Sequence, residues 1–348
     1  MSTVTVRAPA KINLQLAVGP RRADGYHDLV TVFHAISLSD EVTVAPAASA
    51  RVTVSGEGAG RVPGGNDNLA LRAAAALARA AGLDGGAGAV EITIRKRIPV
   101  AAGLAGGSAD AAAALVACNE LWKTGLSQRE LCEVAAGVGS DVAFALLGGT
   151  AVGRGRGERL TAVLASGEYH WVLAFADGQL STPLVYETLD RQRAARGDRG
   201  PGNAVGSGGS VPVPGPGPDP ASPGAAAAAV PEGSGAAGSG PGLNAELMTA
   251  LRSGDPAAVG RELGNDLQPA ALSLVPGLRK TLAAGLELGA LGALVAGSGP
   301  TCVFLAADAG RALDLAVSLS GAGVCRAVAR ATGPAPGAAV IDAPSAAP

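Results

Sequence analysis

The chain has 348 residues and a formal net charge of −2; 48% of its residues are hydrophobic and only 3% are aromatic. This length allows one large domain or two of ordinary size, with a core packed mainly by alanine, valine and leucine. The near-neutral charge and the lack of a basic run argue against a nucleic-acid partner. No apolar segment is long enough to cross a membrane, and the first residues lack the pattern of a signal peptide. We therefore expect a soluble cytoplasmic protein.

The composition is biased, and the bias decides which residues are informative. There are 52 glycines, whereas lysine occurs only at Lys11, Lys96, Lys123 and Lys280. Residue types that run against such a bias carry more information than those that follow it. The four cysteines are scattered without Cys-x-x-Cys spacing. This spacing predicts reduced thiols, with neither a disulfide framework nor a zinc site.

Two structured blocks are predicted, over residues 1–163 and 164–333. In the first, alternating apolar residues predict strands at TVTVRA, EVTVAP, ARVTVSG and VEITIRK, and helical patterns cover 68–81, 108–122 and 127–136. The second begins with the apolar strand HWVLAFAD. Its later elements are two helices flanking Gly264, a helix over 275–288, a strand–turn–strand segment over 291–307 and a helix over 311–320. Strands and helices mix without regular βαβ alternation, which predicts an α+β fold.

Low-complexity sequence interrupts the second block and ends the chain. Residues 191–241 consist largely of glycine, proline, serine and alanine, with almost no large apolar side chain. Such a segment cannot offset its own ordering entropy, so we expect a disordered insertion. Residues 334–348 have a similar composition and are expected to form a loose tail.

A glycine-rich loop lies between a predicted strand and a predicted helix, in the sequence PVAAGLAGGSADAAAAL from Pro99 to Leu115. Glycines let the backbone approach a polyanion, and the first N–H groups of the helix add donors and a positive dipole end. The spacing matches neither the P-loop nor the dinucleotide pattern. The loop taken alone therefore leaves two interpretations open, a phosphate site and an ordinary strand-to-helix turn.

Polar residues near the start of the chain form a second candidate group. Lys11 and Asn13 share one face of a predicted strand, and Ile12 and Leu14 share the other. Taken alone, the polar face is better explained by exposure to solvent. Tyr26 and the adjacent His27 follow an Asp-Gly turn; an aromatic there could stack on a base or merely cover the end of a sheet.

Two further segments have both a structural and a functional interpretation. Asp141 follows a Gly-x-Gly-Ser bend and precedes the apolar run VAFALL. This position predicts a residue at or near a helix N-cap, and the alternative is a partly buried carboxylate acting as a general base. The Gly-Ser-Gly turn within VAGSGPTCVFL fits either a hairpin or a loop that closes over a phosphate.

Together, PAKINLQLAV, PVAAGLAGGSADAAAAL and AGSGPTCVFL resemble the three motifs of the GHMP kinases, the superfamily of galactose, homoserine, mevalonate and phosphomevalonate kinases. Within it, RRADGYHDL, GSDVAF and GNDLQPAAL look like one member, which phosphorylates the 2-hydroxyl of a cytidyl-linked methylerythritol in the non-mevalonate isoprenoid pathway. The resemblance implies a two-lobed α+β fold. Its N-terminal, ATP-binding lobe would be ribosomal protein S5 domain 2-like, and its C-terminal lobe ferredoxin-like.

The same resemblance implies site residues and cofactors. Lys11 and Asp141 would be catalytic, with Asp141 taking or holding the proton of the attacking hydroxyl and Lys11 keeping it ionised. Residues implied to bind the cytidyl substrate are Asn13, Tyr26, His27 and Tyr186. Residues implied to bind ATP are Pro99, Val100, Ala101, Ala102, Gly103, Leu104, Ala105, Gly106, Gly107, Ser108 and Ala109, with Asn68 on the adenine side. ATP would be the phosphoryl donor, and Mg²⁺ would be held mainly by phosphates and water rather than by a protein metal site.

Two loop positions depart from the superfamily pattern, and two rival functions fit the sequence. Ala105 and Ala109 stand where the superfamily more often has glycine and serine, which puts a second loop hydroxyl in doubt but leaves Ser108. Another small-molecule GHMP kinase, of the homoserine or mevalonate type, is the nearest rival enzyme. A nucleotide-binding regulator without catalysis is the rival from a different class. We expect a monomer or a weak homodimer.

Overall fold

A computed structural model describes residues 3–83, 88–197 and 240–341 of the chain. The predicted α+β class is confirmed: two sheets, each covered by helices, build two lobes. The larger sheet has eight strands and the smaller has four. No helix in these ranges is both long and apolar enough to span a membrane.

The strands of the described residues are, in chain order, β1 (Val4–Arg21), β2 (His27–Pro46), β3 (Arg51–Gly56), β4 (Val90–Lys96), β5 (Thr150–Gly155), β6 (Arg159–Ala162), β7 (Tyr169–Phe175), β8 (Gly264–Asn265), β9 (Gly292–Val295), β10 (Cys302–Ala306), β11 (Ala327–Gly333) and β12 (Ala339–Val340). The large sheet has the order β12-β1-β2-β4-β3, with β5 and β6 extending from β2 and with β8 beside β1. The small sheet has the order β11-β7-β10-β9. Its antiparallel pairing and this order are those of the expected ferredoxin-like lobe.

The α-helices of the same residues are α1 (Leu69–Ala80), α2 (Gly106–Trp122), α3 (Gln128–Ala136), α4 (Val142–Leu147), α5 (Thr182–Ala195), α6 (Ala245–Ser253), α7 (Pro256–Arg261), α8 (Gln268–Leu274), α9 (Gly277–Glu287) and α10 (Ala309–Gly321). The predicted helices over 68–81, 108–122, 127–136, 275–288 and 311–320 are confirmed to within about two residues at each end, the usual uncertainty of a helix boundary. The Gly-Ser-Gly turn joins β9 to β10 as an antiparallel hairpin.

Helix α2 lies at the centre of the first lobe. Its alanines from Ala111 to Ala114 are fully buried, and they belong to the same apolar cluster as Ile12 and Leu14 of β1. A helix that is apolar on every side is a buried helix. Small alanine side chains let the neighbouring elements approach closely. The loop that precedes α2 is therefore mounted on a rigid element.

The predicted insertion boundary is wrong at its start. Helix α5 continues to Ala195, so that residues 191–197 are ordered rather than part of a low-complexity segment. Arg193 donates hydrogen bonds to the carbonyl oxygen of Gly19 at 3.1 Å and to Oδ2 of Asp266 at 3.2 Å. These polar contacts, which composition does not reveal, extend the helix. Most of the predicted insertion, residues 198–239, lies outside the described residues.

The prediction of a loose tail from residue 334 is also wrong over 334–341. Strand β12 pairs with β1 in the large sheet. The backbone N–H of Ala335 donates to the carbonyl oxygen of Ala35, and that of Ile341 donates to Thr5, both at 2.9 Å. These backbone bonds do not depend on the identity of the side chains. The end of the second lobe thus returns to the first, while residues 342–348 lie outside the described part.

Candidate active site

A cavity of about 640 Å³ lies between the two lobes. This volume is within the usual range for small-molecule sites. Strands β1 and β2 and the glycine-rich loop line one side, and the start of α5 with the β9–β10 turn lines the other. Both catalytic candidates, Lys11 and Asp141, line it, together with Asn13 and Tyr186.

Lys11 and Asn13 point into this cavity from β1. They are only 8% and 2% exposed, so the interpretation as a solvent-facing pair is wrong. Lys11 Nζ donates to Asn13 Oδ1 at 2.8 Å, and Asn13 Nδ2 donates to Thr31 Oγ1 at 2.7 Å. Thr31 in turn donates to the carbonyl oxygen of Gln15. Each polar group has a partner, which fixes the direction of the lysine ammonium.

Asp141 occupies the N-cap position of α4, yet its side chain makes no capping hydrogen bond. Its Oδ2 atom instead lies 3.6 Å from Lys11 Nζ. The side chain is about a quarter exposed, in contrast to the nearly buried lysine. The predicted N-cap position is therefore confirmed, but the side chain does not cap the helix: it is a partly buried carboxylate beside an ammonium group.

The glycine-rich loop lines the cavity with backbone. Ala101, Gly103 and Ala105 all have a positive φ, at 56°, 79° and 57°. For the two alanines this left-handed conformation costs about 1 kcal/mol each. Of the eleven predicted ATP-binding positions in this loop, eight line the cavity: Pro99, Val100, Ala101, Ala102, Gly103, Ala105, Gly106 and Gly107.

Three predicted positions of this loop do not line the cavity. Leu104 and Ala109 are buried in the core. Ser108 is half-buried on the first turn of α2 and is not among the lining residues. A contact from the Ser108 hydroxyl, which the resemblance implies, is not tested by this geometry and stays a prediction.

The loop packs against the β9–β10 turn of the other lobe. A Cβ atom on Gly103 would lie 2.0 Å from the carbonyl oxygen of Ala296. A Cβ atom on Gly297 would in turn meet the carbonyl oxygen of Gly103 at 3.0 Å. Ser298, in the same turn, shares a hydrogen bond of 2.9 Å with Thr182 at the start of α5. The two glycine motifs are therefore one structural unit, joined at the cavity.

Helices α1, α2, α4 and α5 each begin at the cavity. The lining residues at these helix starts are Asn68 and Leu69 for α1, Gly106 and Gly107 for α2, Ser140 and Asp141 for α4, and Ser181 and Thr182 for α5. Helix N-termini carry unpaired N–H groups and a partial positive charge, which favour a polyanion. The side chain of Asn68 already makes two hydrogen bonds of 2.9 Å. Its Oδ1 accepts from the backbone N–H of Ala70, and its Nδ2 donates to the carbonyl oxygen of Pro63.

The predicted nucleoside residues are only partly brought together. The rings of His27 and Tyr186 lie 5.1 Å apart, and His27 Nε2 bonds to Oδ1 of Asp190 at 2.8 Å. Burial raises the pKa of the Tyr186 hydroxyl, and the negative charge of Asp141 raises it further by a smaller amount. Tyr26 is 44% exposed on the turn before β2, and neither it nor His27 lines the cavity.

A buried charged group beneath the loop was missed by sequence reasoning. Lys96 Nζ donates to Asp40 and, at 2.7 Å, to Oδ2 of Asp110. Burial raises the pKa of Asp110 to about 8 despite the nearby lysine. Burial alone would lower the pKa of Lys96, but the two carboxylates raise it. A Cβ on Gly106 would lie 3.1 Å from Lys96 Nζ, so this group supports the start of α2. Lys96 is one of only four lysines, and that rarity was a usable signal.

Arg156, on the turn between β5 and β6, was also missed. It lines the cavity, and its guanidinium carbon lies 3.6 Å from the centre of the Tyr26 ring. Its neighbours in sequence are glycines and arginines in a chain rich in both. No sequence pattern distinguishes it.

The donor chemistry of the cavity fits a magnesium ion that accompanies phosphate. The described residues contain no group of three histidine, cysteine or acidic side chains arranged for a metal ion. The cavity does offer the carboxylate of Asp141 and the start of α2, where the first N–H groups of a helix have no intrahelical partner. Mg²⁺ is commonly held by one or two carboxylates together with substrate phosphates and water.

Comparison with known proteins identifies relatives along the whole chain. Residues 68–149 match the family described as GHMP kinases N terminal domain, and residues 247–325 match GHMP kinases C terminal. The 4-diphosphocytidyl-2-C-methyl-D-erythritol kinase of Mycolicibacterium smegmatis is 52% identical over 99% of this chain and 94% of its own length. The enzyme of the same name from Nocardia farcinica is 52% identical over 98% of this chain and 97% of its own.

Solved structures agree with this result. A crystal structure of 4-(cytidine 5′-diphospho)-2C-methyl-D-erythritol kinase matches with a TM-score of 0.66 and 32% identity, over 94% of this chain and 98% of that one. A homoserine kinase from Cytophaga hutchinsonii matches with a TM-score of 0.67 but only 17% identity, over 98% of each chain. This second match shows the fold alone.

Proposed function

We infer that this chain, which belongs to the 4-diphosphocytidyl-2-C-methyl-D-erythritol kinases within the GHMP kinases, transfers the γ-phosphoryl group of ATP to the 2-hydroxyl of 4-diphosphocytidyl-2-C-methyl-D-erythritol. The reaction belongs to the non-mevalonate pathway to isoprenoid precursors. Identity of about half the residues over the whole chain supports this substrate. The single structural observation that carries the chemistry is the Lys11–Asp141 pair beside a loop suited to polyphosphate.

ATP binding is assigned to the backbone of the glycine-rich loop. The phosphates would lie along residues 99–107, where the start of α2 supplies N–H donors. Helix starts on both lobes add partial positive charge, which suits a ligand of several negative charges. The adenine side would lie toward Asn68, whose side chain shapes the wall through its own hydrogen bonds. A contact from Ser108 stays a prediction.

The phosphoryl transfer is assigned to Asp141 and Lys11. Asp141 accepts the proton of the 2-hydroxyl while that oxygen forms a bond to the γ-phosphorus and the bond to ADP breaks. Lys11 neutralises charge on the transferring group, and its partner Asn13 holds the ammonium in place. An alcohol is a weak nucleophile, so positioning and charge neutralisation supply most of the acceleration.

Mg²⁺ would be held by the ATP phosphates, with Asp141 as a protein carboxylate that lines the cavity. When bound, the ion neutralises phosphate charge and orients the γ-phosphoryl group. A cytoplasmic location, where ATP is available, is part of the same proposal.

The cytidyl part of the substrate is assigned to the side of the cavity formed by Tyr186 with His27 behind it, near Tyr26.

The test is ADP release from the purified chain against a panel of acceptors. We expect turnover with 4-diphosphocytidyl-2-C-methyl-D-erythritol and background rates with homoserine and mevalonate. Faster turnover of homoserine or mevalonate would instead show that the chain is a GHMP kinase of the homoserine or mevalonate type. Nucleotide binding without turnover of any acceptor would instead support a regulatory protein.

A further inference from the structure

A buried cluster of three charged side chains lies beneath the start of α2. Lys96, at the end of β4, donates one hydrogen bond to Asp40 of β2 and another, of 2.7 Å, to Oδ2 of Asp110. None of the three residues is more than 3% exposed. Two carboxylates thus share one ammonium group, and the cluster would carry one unbalanced negative charge if both were ionised. Such a charge is costly away from water, and one carboxyl group removes it by taking up a proton.

The hydrogen bonds identify Asp110 as the carboxyl group that takes this proton. Oδ1 of Asp40 accepts from the backbone N–H groups of Arg97 at 2.6 Å and Ile98 at 2.9 Å, and such donors favour a charged carboxylate. Oδ1 of Asp110 is buried and has no hydrogen-bond partner among the described residues. Burial raises the pKa of Asp110 to about 8; the charge of Asp40 adds to this effect, and the charge of Lys96 opposes it.

Asp110 lies one helical turn beyond the residues at which α2 begins. Gly106 and Gly107, in the first turn, line the cavity, and so do Asp110 and Lys96. Residues three and four positions apart lie on the same face of a helix. The carboxyl group of Asp110 is therefore beneath the helix start to which the phosphates of ATP are assigned. A negative charge here repels a bound polyphosphate, whereas a neutral carboxyl group leaves the partial positive charge of the helix start unopposed.

The other charged groups on the elements that pack against α2 face elsewhere. Lys11 of β1 contacts Asn13 and Asp141. The buried face of α1 consists of alanine and leucine, α4 contains no charged residue, and the charged side chains of α3 are exposed. Asp40 and Lys96 are therefore the charged groups that face Asp110 within the described part of the chain. The two carboxylates raise the pKa of Lys96, so this lysine stays charged while Asp110 titrates.

We propose that Asp110 is a positioning residue of the polyphosphate site: its carboxyl group holds a proton while a nucleotide polyphosphate is bound at the start of α2, and nucleotide binding draws that proton from solvent. This inference rests on the proposed function, because it assumes that the phosphates of ATP lie at this helix start. Protonation and nucleotide binding then favour each other, since coupling between two sites is reciprocal. Raising the pH through about 8 removes the proton from Asp110, so the affinity for nucleotide falls.

The experiment measures ADP binding to the full chain by calorimetry from about pH 7.5 to about pH 9.5, where a phosphate group with a second pKa of about 6 stays ionised. Wild-type affinity should fall on the order of tenfold over this range, a usual size for coupling between two sites. Asp110→Asn has the shape of a neutral carboxyl group and cannot ionise, so its affinity should stay nearly constant. Asp67→Asn is the matched control, because Asp67 is an exposed carboxylate that lines the same cavity; this variant should keep the wild-type pH dependence.

Proton uptake is a second readout, and it needs no variant. Calorimetry near pH 8, in two buffers of different ionisation enthalpy, should show that the wild type takes up a fraction of a proton for each ADP bound. No uptake by the wild type would overturn the inference, and so would an equal pH dependence in folded Asp110→Asn and the wild type. If the wild type neither binds ADP nor phosphorylates the cytidyl substrate, the proposed function fails; turnover of that substrate without proton uptake on ADP binding refutes only this inference.

Discussion

Nζ of Lys11 lies 3.6 Å from Oδ2 of Asp141, although one residue is on a central strand and the other precedes a short helix. The lysine is held by Asn13, and the aspartate is not used as a helix cap. A carboxylate freed from capping and placed beside an ammonium group in a cavity is available for proton transfer.

Replacing Asp141 by asparagine should leave the fold intact and lower the turnover number about 10²- to 10⁴-fold, because the amide has the same size but accepts no proton. Steady-state kinetics measures the change, and thermal unfolding checks the fold. Since the carboxylate makes no cap bond, Asp141→Asn should unfold near the wild-type temperature. A variant with more than half of the wild-type rate would remove Asp141 from the mechanism.

The change Lys11→Met should lower kcat much more than it raises the KM for ATP. The ammonium matters most while charge develops on the transferring group, and removing one such donor costs on the order of 10²- to 10³-fold. Separate measurement of kcat and KM distinguishes the two effects. A higher KM at constant kcat would make Lys11 a ground-state anchor for phosphate.

The contact between the two glycine motifs predicts an effect of Gly103→Ala. A Cβ atom there would lie 2.0 Å from the carbonyl oxygen of Ala296, at a backbone φ of 79°. We expect a lower melting temperature and a higher KM for ATP, because the loop must move away from the β9–β10 turn. Gly64→Ala is the control, since its Cβ would meet no atom within 4 Å. Equal behaviour of the two variants would contradict the packing of loop against turn.

Sequence patterns predicted most of the helices and strands well, because these depend on local signals. Alternation placed Lys11 and Asn13 on one face of a strand, and the Gly-Ser bend placed Asp141 at a helix start. Whether these side chains face solvent or a cavity depends on the second lobe, which local patterns do not describe. The solvent-facing interpretation of Lys11 and Asn13 was therefore wrong for a tertiary reason, whereas the N-cap position of Asp141 was predicted correctly although its side chain lies beside Lys11.

Other features follow from long-range contacts that composition hides. Strand β12 is low in sequence complexity, yet it pairs through its backbone with β1. The end of α5 is ordered through Arg193, whose partners are distant in the chain. Arg156 had no distinguishing pattern, whereas Lys96 could have been found from its rarity. Its two carboxylate partners come from β2 and α2, and only the fold brings them together.

His34 predicts how stability depends on pH. It is fully buried and bonds through Nδ1 to Thr150 at 2.9 Å, and burial lowers its pKa to about 3. Below about pH 6.5 the unfolded chain binds a proton that the folded chain refuses, so stability falls by roughly 1.4 kcal/mol per pH unit down to about pH 3. Urea unfolding of His34→Gln should show a flatter pH dependence over that window. An equal slope in both proteins would contradict a neutral buried imidazole.

The most direct test of the account is the position of the new phosphate in the product made from ATP and 4-diphosphocytidyl-2-C-methyl-D-erythritol. The 2-carbon bears a methyl group and no hydrogen, so a phosphomonoester there shows no three-bond coupling to a carbinol proton in a proton-coupled ³¹P NMR spectrum. We predict this uncoupled monoester signal, appearing together with ADP and absent with Asp141→Asn. A doublet or a triplet, which would place the phosphate on a secondary or primary hydroxyl, or no new monoester from the wild type, would contradict the account.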